Sequence, residues 1–132
     1  MRRGLLLVGL LWARAALAHP HGAAETQADM NAAAQADLNV LQARMDSVLA
    51  LVEKRGTGHP KALRQFHASQ AAWAAYRTAT IDATYPRSRD EASVTLMCRA
   101  WMAERLIEQR IDTLLELLHP AEGDVCRSPW PW

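Results

Sequence analysis

Aromatic residues are scarce in this chain. Its 132 residues include one phenylalanine and two tyrosines, so five tryptophans carry most of the ring chemistry. That scarcity rules out a core of stacked aromatics and leaves Leu, Met, Val and Trp to fill it. Cysteine is limited to Cys98 and Cys126, and neither sits in a C-x-x-C pair, which argues against a dithiol redox enzyme. No block of like charge appears. Fifteen basic and fourteen acidic residues leave a formal charge of +1, and without a basic patch no nucleic-acid partner is expected. Strand-like alternation, internal repeats and low-complexity tracts are also missing.

The longest apolar run, Gly4 to Ala13, covers only about ten residues, too short to span a bilayer comfortably. It follows the charged pair Arg2-Arg3 and precedes Ala16-Leu17-Ala18, a small-x-small site, so residues 1–18 read as an export signal cleaved after Ala18. Arg14 interrupts the run, which argues against a retained anchor, and no cysteine lies near the site for lipid attachment. The expectation is a periplasmic protein with no stable membrane anchor after cleavage. Removing 18 of 132 residues leaves 114, enough for one domain. Three basic residues leave with the signal and all fourteen acidic ones stay, so the charge moves to −2.

What remains is helical. After a leader at residues 19–23, apolar residues Leu38, Leu41, Met45, Val48 and Val52 alternate steps of three and four, the period of a helix face. This first helix is expected from about Ala24 to Arg55, with Gly56 as its stop and Thr57-Gly58-His59 as the connection. Pro60 suits the first position of the second helix, which presents Leu63, Phe66, Gln70, Trp73, Arg77 and Ile81 on one side and ends near Tyr85-Pro86. Ser88-Arg-Asp-Glu91 reads as a capping box opening the third. Its apolar residues are Val94, Met97, Cys98, Trp101, Ile111, Leu114, Leu115 and Leu118, and it stops at His119-Pro120. Short connections imply an all-α, antiparallel three-helix bundle over residues 24–119, followed by a proline-containing tail at 120–132. Such a bundle leaves a fourth side open to a second copy. In an oxidising compartment, two cysteines suggest a Cys98–Cys126 disulfide, whose ~28-residue loop would contribute roughly 3–4 kcal/mol by the chain-entropy model.

One run stands out from generic helix: Ser69-Gln-Ala-Ala-Trp-Ala-Ala-Tyr-Arg77 places an amide, an indole and a guanidinium on one face. Arg105 and Glu108 fall near the third helix's apolar stripe, and Asp37 and Asn39 near the start of the first's. An inward arginine must be paired. One arrangement is therefore a polar network in which Arg77 and Arg105 meet Asp37 or Glu108, Gln70 completes the hydrogen bonds, and guanidiniums stack on Trp73 or Trp101. The other has the arginines snorkelling, stems on apolar surface and heads in water. Neither gives the cavity and perturbed acid or nucleophile that catalysis needs, so the chain reads as non-enzymatic with no cofactor. His59, His67 and His119 lie on separate elements, and Pro20 removes the amide that a chelate at His19-Pro20-His21 would use, so no metal site is expected.

Taken together, Gln70-x-x-Trp73-x-x-Tyr76-Arg77 resembles the central motif of the LprI-like lysozyme inhibitor domain. Thr26-Gln-Ala-Asp-Met-Asn31 is similar to that family's opening segment, Asp37-Leu38-Asn39 to a following element, and Cys98 with Glu104-Arg105 to its closing stretch. The resemblance covers about residues 25–115. This chain departs from the family in carrying Ala33 and Ile81 where relatives have cysteines, Gln42 in place of an expected tyrosine, and Tyr85-Pro86-Arg87-Ser88 in place of a Gly-Gly-Ser-type connection. These departures mark a divergent member with a changed disulfide arrangement. The resemblance implies a small helical envelope protein and, as partner, a lysozyme or another envelope protein. Inhibition would work by steric occlusion of a cationic hydrolase's cleft, with the Trp130-Pro131-Trp132 tail or the first interhelical loop as contact. The same tail could instead fold back over the bundle. Two rival classes are an envelope chaperone or stress adaptor that binds protein clients, and a metal-handling protein.

Overall fold

The computed structural model describes residues 26–126, 130 and 131. The expected export signal, the leader with His19 and His21, and Trp132 lie outside the described residues. Among the described residues three helices form the fold: α1 (Gln27–Gly56), α2 (Pro60–Thr84) and α3 (Val94–Leu118). The described residues contain no strand.

Each helix end has a local cause. Thr26 caps α1 reciprocally: its hydroxyl accepts from the Asp29 N–H, and the Asp29 carboxylate accepts from the Thr26 N–H at 2.9 Å. Gly58 has φ +87°, the left-handed conformation that turns the chain after Gly56. Pro60 opens α2, and Tyr85, extended before Pro86, closes it. The start of α3 differs from expectation. Ser88 and Asp90 accept hydrogen bonds from the N–H groups of Asp90 and Ala92, which builds turns rather than a helix. Ser93 is the actual cap, accepting from the Thr95 N–H. Asp82 accepts from Arg99 at 2.6 Å and Arg87 at 3.0 Å, and Arg99 also donates to the Tyr85 carbonyl. These contacts hold the α2–α3 connection open until Ser93.

The helices run up, down, up. Asn31 at the start of α1 donates to the Glu91 and Ser93 carbonyls at the start of α3, so α1 and α3 are parallel. Glu53 near the end of α1 meets His67 near the start of α2. The most extensive packing is between α1 and α3. Met45 and Val52 of α1 and Ile107 and Ile111 of α3 are wholly buried in one cluster. Phe66 of α2 joins them, while Ile81 of α2 packs with Ala103 and Leu106.

The buried line of α3 is rotated from the expected one. Val94 and Trp101 are half-exposed, and the inward positions are Ala100, Ala103, Ile107, Ile111, Leu114 and Leu118. Alanines admit a neighbouring backbone at close range, which an indole does not. Hence the small side of α3 faces in at this end.

The expected disulfide is also corrected: Cys98 and Cys126 are both free thiols. Cys98 lies near the start of α3, and Cys126 lies beside Leu114 and Leu117 near its end. The intervening helix separates them by roughly 25 Å at 1.5 Å per residue, against a limit of about 7 Å between bridged Cα atoms. The tail still folds back, through packing alone. Trp130 is buried, its ring 6.0 Å from that of Phe66. It sits over Gly56, where an added Cβ would lie 2.7 Å from the indole and 2.5 Å from Leu63.

Chemical denaturation should therefore show Trp130→Ala losing about 3–5 kcal/mol, the range for an emptied aromatic site. Gly56→Ala should lose about 1–3 kcal/mol from overlap, exceeding the about 1 kcal/mol gained in helix propensity. Reductant should leave the midpoint of the parent unchanged.

Candidate functional site

The amide, indole and guanidinium of α2 lie where the sequence places them, half-buried on the inward side, but their partners are different. Arg77 donates to the Gln42 side chain at 3.2 Å and lies over the Trp73 ring, 5.1 Å from its centroid. Gln70 accepts from Nε of Arg110 at 3.0 Å, and Ser69 accepts from another nitrogen of that guanidinium at 3.1 Å. Arg110 also lies 5.9 Å from the Trp73 centroid. Trp73 thus has two cations at its ring, one from its own helix and one from α3. Tyr76 of the same motif is exposed.

Asp37, Asn39, Arg105 and Glu108 stay outside this cluster. All four are exposed. Asn39 accepts from Gln35 at 2.9 Å, and Arg105 reaches only the Met102 sulfur. Neither Asp37 nor Glu108 pairs with a guanidinium; among the described residues the ion pairs are His67–Glu53, Arg87–Asp82 and Arg99–Asp82. The expected network of Arg77 and Arg105 with these carboxylates is replaced by one built on Gln42, Gln70, Ser69 and Trp73. The cause is the rotation of α3, which turns Arg105 to solvent with Trp101 and brings Arg110 in. Arg110 had a sequence signal: it stands midway between Leu106 and Leu114, at i, i+4, i+8 spacing. Burial lowers its pKa from the ordinary arginine value, although a guanidinium stays charged at neutral pH.

A second constellation lies on the outward side of α3. Trp101 is 53% exposed, and Glu104, Glu108 and Asp112 follow it at steps of three and four, one ridge of the helix. Arg105 is the one cation among them. Glu104 has a buried carboxylate oxygen with no hydrogen-bond partner among the described residues. Its carboxyl is pushed above the usual glutamate range by burial, then by the charges of Asp37 and Glu108. Glu104, Asp37 and Glu108 therefore crowd one another, and none of them forms an ion pair among the described residues. Conversely, α2 carries Lys61, Arg64 and Arg77 against the single acid Asp82, whose carboxyl is held below its usual range by hydrogen bonds first from Arg99 and then from Arg87. The molecule has a basic α2 side and an acidic α3 ridge bearing an open indole.

Among the described residues no group of three or more His, Cys, Asp or Glu side chains gathers to hold a metal ion, and no helix is long and apolar enough to cross a membrane.

The family model described as lysozyme inhibitor LprI matches residues 19–114. No curated protein and no solved structure matches the chain.

The raised pKa of Glu104 sets a pH dependence. A carboxyl that holds its proton more tightly when folded favours the fold below its unfolded pKa, and that contribution is lost as pH rises through the folded pKa. Glu104→Gln, which mimics the protonated form, should melt at higher denaturant than the parent at pH 7. The gap should narrow as pH falls into the carboxylate range and the parent glutamate takes up its own proton.

Proposed function

The chain belongs to the lysozyme inhibitor LprI family, and from that premise we propose that it is exported to the periplasm and inhibits a lysozyme there by covering its cleft. The family is one of inhibitors rather than enzymes, which supports a role in contact rather than turnover.

The observation that carries the reading is the α3 ridge. A half-exposed tryptophan flanked by carboxylates that form no ion pair among the described residues matches a cationic hydrolase in charge and supplies a common hot-spot residue. After removal of residues 1–18 the formal charge of −2 steers weakly, but concentrating acid on one ridge and base on α2 orients the approach. Trp130, one of the contact residues expected from the sequence, is buried against Phe66 and Gly56, so Trp101 takes that part. The chaperone reading has one observation in its favour: Val40 and Leu51 are exposed on one line of α1.

A cell-wall clearing assay with the purified protein tests this. The parent should slow lysis in a dose-dependent, salt-sensitive way. Trp101→Ala should fold normally, since its ring is open to solvent, and weaken inhibition by at least about tenfold, the scale of a hot-spot residue. Replacing both Glu104 and Glu108 by Lys should weaken it further and flatten the salt dependence. Full lysis at large molar excess of the parent would exclude inhibition of that lysozyme, whereas unchanged inhibition by Trp101→Ala would move the contact surface off this ridge.

A further inference from the structure

A groove of about 600 Å³ lies between α2 and α3, lined by residues of both helices and by Cys126 and Trp130 of the tail. Its floor is apolar: Phe66, Leu114 and Trp130 are buried, and Leu117 is partly so. Arg110 stands at its upper end. That guanidinium is half-buried, gives two of its five N–H groups to the neutral acceptors Gln70 and Ser69, and pairs with no carboxylate of the described residues. A partly desolvated cation with donors left over, lining an apolar channel, is complementary to an anion carrying an apolar body. The volume falls within the usual range for small-molecule sites, ~300–1,000 Å³.

We propose that this groove binds a medium-chain fatty acid, with its carboxylate on Arg110 and its chain lying over Phe66, Leu114, Leu117 and Trp130. The direction is set by charge. Glu116 lines the other end of the groove and has an interaction of its own. It stands about 9 Å along the helix axis from Arg110, which is the one basic residue among the described lining residues, so an anionic head is drawn to the Arg110 end. From Arg110 to Leu117 the axis advances roughly 10 Å, which suits a medium acyl chain. The site is separate from the Trp101 ridge and does not depend on any action on lysozyme.

Cys126 supplies a direct readout, since it is an exposed free thiol lining the groove, while Cys98 lies near the far end of α3 and serves as internal control. The purified protein is titrated with laurate below its micelle concentration, following tryptophan fluorescence and, by mass spectrometry, iodoacetamide alkylation of each thiol. The expected result is saturable one-to-one binding with alkylation of Cys126 slowed at least fivefold and that of Cys98 unchanged. Arg110→Gln should weaken laurate binding at least tenfold while leaving 1-dodecanol binding as in the parent. Absence of saturable laurate binding, equal slowing of both thiols, or parent binding of dodecanol as tight as of laurate would each overturn the proposal. The parent measurements decide it even if Arg110→Gln does not fold.

Discussion

The close parallel seating of α1 on α3 is the constraint from which the rest of the molecule follows. Met45, Val48 and Val52 meet Ile107, Ile111 and Leu114 in a seam almost without exposed surface, and buried alanines on both helices allow that approach. Because these two helices claim each other, α2 is left to pack through larger side chains. Phe66, Trp73 and the tail's Trp130 fill the space beneath it, and Arg77 and Arg110 reach across it to neutral acceptors. The polar face of α2, the groove beside it and the docking of the tail all result from that spacing.

The same seating decides which side of α3 meets solvent. Once Ala100 and Ala103 face inward, Trp101, Arg105, Glu108 and Asp112 must face outward. The acidic ridge and the cationic cluster are therefore consequences of one rotation: it releases Arg105 from the interior and admits Arg110. It also leaves Glu104 at the seam's edge, partly desolvated and close to Asp37 and Glu108. The tail follows a related logic. Gly56 leaves room for the Trp130 ring, so packing does what a disulfide would otherwise have done.

Much of this was legible in residue order. Periodicity places Met45, Val48 and Val52 inward, and Pro60, Gly56 and Tyr85-Pro86 mark ends that the structure keeps within a residue or so. The motif on α2 carries the family resemblance, and its amide, indole and guanidinium share a face whatever they contact. Sequence pattern and structure part where local pattern competes with tertiary choice. Trp101 has the greater apolar area, so pattern alone turns it inward, and Arg105 with it. Ser88 to Glu91 has the residue types of a cap, but its side chains close turns in a connection held by Asp82 and Arg99.

The sequence by itself determined the helices, their order and the chemical groups they carry, since these depend on 3.6-residue periodicity and on capping and breaking residues that act over a few neighbours. Only the tertiary structure decided which of two faces α3 buries, because that choice turns on how closely another helix can approach. It alone decided that Arg110 rather than Arg105 meets Trp73, and that Cys98 and Cys126 stand at opposite ends of a helix. Those outcomes rest on contacts between residues 35 or more positions apart, which no local pattern encodes.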